Sequence, residues 1–265
     1  MNLLEHWRAL LGALALMSRL PFVPRFQWSA AAQHLSPVYY PLVGALLGGV
    51  LWAVSWLMAA WPVGLTAFVI VVLWVALTGA LHLDGLADSV DGYAAGHRCT
   101  DAAERSDRIL RVMHDPASGP MAVVALVSVL LGKWLALEAL LTRPLTAEVA
   151  FWCLLLALPR VMLLPVLMSS RYARPMGLAS GLSGGRSSLA YWAALGVTLS
   201  APLMVFPAVP AVGLLVMLGL VTWAWRAFWQ RQIGGYTGDT LGALVECLEV
   251  LLLWYWLLVL MGWPS

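Results

Sequence analysis

Charge is scarce in this sequence: 11% of its 265 residues are Asp, Glu, Lys or Arg, where a soluble domain carries about a quarter. With 62% hydrophobic residues and a mean hydropathy of +0.86, an ordinary soluble domain is excluded. The formal net charge of +2 is too small to argue for nucleic acid. Cysteine is scarce as well. Cys99, Cys153 and Cys247 are far apart, with no CxxC and no His at zinc spacing, so neither a disulfide framework nor a zinc site is indicated. No small-x-small cleavage site follows the apolar run Leu10–Met17, and Arg19 follows the run, so it reads as a retained helix. There is no internal repeat and no linker, which makes residues 1–265 a single domain.

What the chain has is apolar runs. A spanning helix needs about 20 apolar residues. Residues 38–60, 63–82, 120–142, 147–169, 189–207, 210–228 and 241–262 approach or reach that length. Residues 3–17 form a shorter apolar helix, and residues 101–115 have the pattern of an amphipathic one, with Ile109, Leu110, Val112 and Met113 as its apolar part. As an isolated element that helix is expected to lie on the bilayer surface. The expected fold is all-α: a polytopic membrane helical bundle of about seven transmembrane helices, a short N-terminal helix and a cytoplasmic amphipathic helix. Twelve arginines fall in the 1–37, 83–118, 170–188 and 229–240 stretches or at their edge, and only Arg143 falls on the other side. The positive-inside rule therefore makes those stretches cytoplasmic.

The acidic residues are concentrated in one of these stretches. Asp84, Asp88 and Asp91 are spaced four and then three apart, which stacks them on one helix face. No Lys or Arg occurs between Arg25 and Arg98 to offset them. A hard cation such as Mg²⁺ suits this pattern, because it takes oxygen ligands and keeps waters for a substrate phosphate. The alternative is a solvated acidic helix end, although such faces usually carry interleaved cations. Asp115 is a further candidate ligand or a cap.

A second polar stretch runs from Gly234 to Gly242, directly ahead of the last apolar run. Thr237, Asp239 and Thr240 are good helix caps. The glycines, Gly235 and Gly238 among them, are also suited to present backbone amides to phosphate, with Asp239 as another metal ligand. The stretch lacks the Lys of a P-loop. Within the apolar runs, Lys133, Arg160, Glu246 and Glu249 are expected to face the bundle interior. Glu138 is the expected partner of Lys133, while Arg160 and both glutamates should lie near the site. Arg171, Arg174 and Arg186 flank a glycine-rich loop that suits an anionic substrate.

The segment Leu81-His-Leu-Asp-Gly-Leu-Ala-Asp-Ser-Val-Asp-Gly92 closely resembles the signature of the cobalamin synthase family, the adenosylcobinamide-GDP ribazoletransferases. The resemblance covers nearly the whole chain in order. It includes Arg19-Leu-Pro21, Pro41-Leu-Val-Gly44, Asp107-Arg108 through Asp115, Lys133, Pro159-Arg160, Arg171-Tyr-Ala-Arg174 and Gly234 through Ala243. Four departures stand out. Ala80 occupies a position where the family has glycine, His114 replaces Lys or Arg, Pro116-Ala-Ser118 replaces a Ser-Arg-like segment, and Tyr236 replaces Gln.

The resemblance implies a Mg²⁺-dependent transferase of the last steps of cobalamin assembly, at the cytoplasmic side of the inner membrane. It would join adenosylcobinamide-GDP to α-ribazole, or to α-ribazole 5'-phosphate, and release GMP. Asp84, Asp88, Asp91, Asp239 and Asp115 are then the metal candidates. Arg160, Arg171, Arg174, Lys133, Gly235, Thr237, Gly238 and Thr240 are the substrate-binding candidates. A carboxylate, Asp84 or Asp88, is expected to take the hydroxyl proton. His82 is a second candidate base, although regular helix geometry would turn it away from Asp84. The substrates and membrane lipids are the expected partners, with no nucleic acid; self-association into a homo-oligomer is left open. Two other readings remain. Asp88-Ser-Val-Asp91-Gly92-Tyr-Ala-Ala95 matches the opening of the CDP-alcohol phosphotransferase motif, but Gly96 stands where Arg should follow. A secondary transporter would place its acids near the midplane rather than at a helix end.

Overall fold

The computed structural model describes residues 3–20, 29–174, 182 and 189–262. Arg25, Arg186, Trp263 and most of the glycine-rich loop after Arg174 lie outside the described residues. The described residues are helical, and no strand occurs among them. In chain order the helices are α1 (Leu3–Met17), α2 (Ala30–Leu35), α3 (Tyr40–Leu57), α4 (Val63–Thr78), α5 (Leu81–Gly96), α6 (Ala102–Val112), α7 (Pro120–Leu140), α8 (Val149–Val161), α9 (Leu163–Ser169), α10 (Leu189–Val205), α11 (Ala208–Ile233) and α12 (Gly238–Gly262).

Five stretches are long and apolar enough to cross a membrane: α2 with α3, α7, α8 with α9, α11, and α12. α4 and α5 pass the same test only as a pair, and that pair is bent by 85°. α10 is apolar but shorter. The chain is thus a multi-pass membrane protein, with the seven expected apolar runs all helical and the second of them broken. The break has a local cause. Gly79 and Ala80 both adopt left-handed backbone, with φ of 61° and 57°, which ends α4 and sends α5 off at a steep angle. We read α4 as the span and α5 as lying outside it.

The segment α8–α9 sits at the centre of the bundle, with every side chain from Leu154 to Leu164 buried. Lipid tails are as apolar as the side chains, so close backbone packing has to hold such helices together. α3 approaches α8 through Gly44 and Gly48, where an added Cβ would run into the carbonyls of Leu156 and Trp152. The same device joins α5 to α12. A Cβ at Gly85 would stand 2.7 Å from the carbonyl oxygen of Asp239, and one at Gly242 would stand 3.2 Å from the Cα of His82.

The amphipathic helix α6 does not rest its apolar face on lipid, contrary to the sequence expectation. Ile109 and Met113 are buried against Trp229 and Ile233 of α11, and against the small residues Gly92 and Gly96 of α5. Protein covers this face because α11 runs well past the apolar run at 210–228 and supplies the partner surface. At the opposite end of the bundle Trp52, Trp56, Trp61 and Arg143 border a cavity of about 210 Å³. The exposed rings of Trp56 and Trp61 suit an interfacial belt.

Candidate active site

The break at Gly79–Ala80 points the first turn of α5 at the first turn of α12, and the site is assembled there. α12 begins with a reciprocal cap. The Thr240 amide donates to Thr237 Oγ1 (3.2 Å), and the Thr237 amide donates to Thr240 Oγ1 (2.9 Å). Both threonines are fully buried. The strand-like segment before them is tied to the loop after α9. Tyr236 donates its amide to the Arg171 carbonyl (3.0 Å), and Ala173 donates to the Tyr236 carbonyl (2.9 Å). This places Arg174 over α12, where its Nη2 donates to Asp239 Oδ2 at 2.8 Å.

A cavity of about 280 Å³ opens between these elements. Its polar wall is formed by Asp84, Asp239, Arg174, His114 and His82. Its apolar wall includes Leu16, Met17, Leu163, Leu182 and Leu241, with the rings of Tyr40 and Tyr172. His82 and Asp84 both line this cavity, and both ring nitrogens of His82 are buried with no hydrogen-bond partner in the protein.

Asp88 lies one turn further along α5 and is partly exposed. Partial burial, the nearby carboxylates of Asp239 and Asp84, and more weakly Asp91, push its pKa up to about 7, and Arg174 offsets this only in part. The cluster is therefore short of positive charge. Asp91 does something different. Its two carboxylate oxygens accept from the backbone amides of Gly119 and Ala122, which caps the N-terminus of α7 from another helix. Asp115 is exposed, and its Oδ1 accepts from the Ala117 amide at 3.0 Å. It forms a local turn and does not border the cavity. Among the described residues no three His, Cys, Asp or Glu side chains converge as a ready-made metal cage.

The intramembrane charges form a buried network behind this wall. Lys133 Nζ donates to Glu246 Oε2 at 2.7 Å and to Glu249 Oε2 at 2.6 Å, and Arg160 Nη1 donates to Glu249 Oε1 at 2.8 Å. Lys133 also lies over the ring of Trp74, 4.3 Å from its centroid. This corrects the expected Lys133–Glu138 pair: Lys133 faces α12, whereas a Glu138 oxygen lies beside Gly64 of α4. Neither Lys133 nor Arg160 borders the cavity. Each charge has an opposite partner, which meets the cost of burying ions away from water.

The structure thus brings Asp84, His82, Arg174, Gly238 and Asp239 to one space. Thr237 and Thr240 serve as caps, and Gly235 is buried where an added Cβ would strike the Arg171 carbonyl. The Arg171 side chain is exposed and does not border the cavity. Sequence reasoning missed Leu16, Met17, Tyr40, Tyr172 and Leu182 as cavity walls. Leu16, Met17 and Tyr40 lie in apolar runs and Tyr172 and Leu182 in a polar loop, and neither setting signals which side chains will face a space.

Comparison with known proteins identifies the family. The profile of the cobalamin-5-phosphate synthase family matches residues 9–257. The chain belongs to that family. Among curated relatives, an adenosylcobinamide-GDP ribazoletransferase of Pseudomonas fluorescens is 38% identical over 94% of this chain and 96% of its own length. Enzymes of the same name from Pseudomonas putida (40% identical, 94% of this chain and 96% of theirs) and Pseudomonas aeruginosa (40%, 92% and 96%) are similarly close. No solved structure matches. Family membership makes the chain a transferase and favours neither the CDP-alcohol phosphotransferase nor the transporter reading. Both segments that carried the resemblance, Leu81–Gly92 and Gly234–Ala243, contribute to the cavity.

Proposed function

We propose that this transferase joins adenosylcobinamide-GDP to α-ribazole, or to α-ribazole 5'-phosphate, in a Mg²⁺-dependent reaction at the cytoplasmic face of the inner membrane. The 3'-oxygen of the acceptor forms a bond to the cobinamide-linked phosphorus. The bond from that phosphorus to the bridging oxygen breaks, and GMP leaves with that oxygen. The acceptor's hydroxyl proton passes to a carboxylate of the cluster.

The observation that carries the proposal is the packing of Gly85 against the Asp239 backbone, which joins two carboxylate-bearing segments at one cavity. Asp84 and Asp239 border the space and Asp88 lies beside it, so hard oxygen donors face it from two helices. The donor set fits Mg²⁺, which is bound by one or two carboxylates together with substrate phosphate and water rather than by a closed protein cage. When bound, the ion would neutralise charge on the phosphoryl oxygens. Asp84, Asp88 and Asp239 would hold it, and Arg174 supplies a fixed cation beside them. Whichever of Asp84 and Asp88 does not hold the ion is suited to accept the hydroxyl proton. The cytoplasmic placement rests on the twelve-to-one arginine asymmetry, since the loops that carry it converge on the cavity end.

The test is GMP release from adenosylcobinamide-GDP by detergent-purified protein, with α-ribazole present and no membrane gradient. Turnover that EDTA abolishes and Mg²⁺ restores is the expected result. No GMP under any condition, or turnover indifferent to EDTA, contradicts the proposal or its metal requirement respectively.

A further inference from the structure

Helix α5 begins without a cap. It follows Ala80, which is in left-handed backbone, and no side chain there accepts from the open amides of the first turn. Asp84 stands in that turn, so something other than a cap has to fix its carboxylate. His82 lies in the same turn and is 3% exposed, and neither ring nitrogen has a hydrogen-bond partner among the described residues. Its backbone packs on Gly242 of α12, where an added Cβ would come 3.2 Å from the His82 Cα. Gly242, Glu246 and Glu249 are spaced four and then three apart, on one face of α12. The buried ion network therefore continues from the residue on which His82 rests. The charges that bear on the imidazole are those of Arg160, Glu249 and Lys133. Arg160 is itself incomplete. It is 0% exposed, and its Nη1 donates to Glu249 and to the Leu156 carbonyl, but its Nε and Nη2 have no partner among the described residues.

Unpartnered donors on a buried arginine and unpartnered nitrogens on a buried imidazole each cost free energy, and one arrangement satisfies both. We propose that His82 is a positioning residue, bridged to Arg160 by ordered buried water, which ties the first turn of α5 and its Asp84 to the ion network of α7, α8 and α12. A water accepts from the guanidinium N–H groups and donates to the imidazole nitrogen that carries a lone pair. Waters of this kind are part of a fold, because they complete polar groups that the chain leaves open. The ion network, which does not itself border the cavity, thereby acts on the site. Glu249 holds Arg160, Arg160 holds His82 through water, and His82 holds the backbone two residues ahead of Asp84. His82 touches no reacting atom in this arrangement, in place of the base role that the sequence allowed. The inference rests on the reading of Asp84 as a carboxylate of the active site.

Amide hydrogen exchange at residues 84–86 of the detergent-purified full chain, without substrate or metal, reads the tether separately from the chemistry. His82→Leu should speed exchange there at least about tenfold, the effect of losing a hydrogen bond that involves a charged group. It should also lower kcat by about tenfold to a hundredfold and leave KM for both substrates nearly unchanged. His82→Gln, which keeps a donor and an acceptor, should recover part of both losses. Arg160→Lys is the deciding variant. It can keep the pair with Glu249 but lacks the remaining nitrogens of the guanidinium, so it should speed exchange at residues 84–86 as His82→Leu does, although it lies on another helix. Combining the two substitutions should change neither readout further. Unchanged exchange in His82→Leu overturns the tether. Wild-type exchange at residues 84–86 in Arg160→Lys, or effects that multiply in the double variant, overturn the link to Arg160. If His82→Leu fails to insert, Arg160→Lys decides alone. Failure of this inference is separable from failure of the function: a wild type that releases GMP while neither variant alters exchange loses the tether only, whereas a wild type that releases none loses the reaction itself.

Discussion

Ala80 is the one described non-glycine residue with positive φ, and it sits at the bend that aims α5 into the site. An L-residue in left-handed backbone costs about 1–2 kcal/mol relative to glycine. Glycine gives back part of that gain, because it frees the unfolded chain by roughly 0.4–1 kcal/mol. Ala80→Gly should therefore stabilise the protein by roughly 0.5–1 kcal/mol. Taking about 2–4 °C per kcal/mol for a chain of this size, the thermal unfolding midpoint in detergent should rise by ~1–4 °C. The neighbouring Gly79→Ala should do the opposite and more strongly. It imposes the same strain at φ 61°, and its new Cβ would run into the Arg19 side chain. The two variants, measured side by side with GMP release as the activity control, test whether left-handed backbone sets the bend. A midpoint that falls in Ala80→Gly, or is unchanged in Gly79→Ala, would refute the reasoning.

Gly85→Val should insert and fold but lose at least ~100-fold in turnover, because a branched side chain forces α5 and α12 apart at the cavity; normal turnover would show that their contact does not define the site. Asp84→Asn and Asp239→Asn should each cost at least ~10–100-fold in GMP release, with unchanged thermal midpoints. Asp91→Asn should behave differently. It weakens the cap on α7 by about 1 kcal/mol, seen as a lower midpoint, and keeps most of the activity; a dead but fully stable variant would return Asp91 to the ligand set. Lys133→Met leaves Glu246 and Glu249 without their shared cation, so it should destabilise by ~3–5 kcal/mol, read as loss of the folded protein in detergent titration. Replacing Lys133, Glu246 and Glu249 together with apolar residues should recover part of that loss.

The sequence by itself determined the class of the protein, the positions of its apolar helices and the two segments that meet at the cavity. It could do so because hydropathy over twenty residues answers directly to the bilayer's thickness, and because carboxylates at spacings of four and three lie on one helix face whatever surrounds them. The roles within those segments were decided by tertiary structure. Asp84, Asp88 and Asp91 look equivalent along the helix, yet Asp91 is drawn to the N-terminus of α7 while Asp84 faces the cavity. Lys133 had a plausible partner nearby in sequence and found two others more than a hundred residues away. Periodicity describes one helix at a time, whereas capping, ion pairing and cavity walls depend on which helix comes next to it.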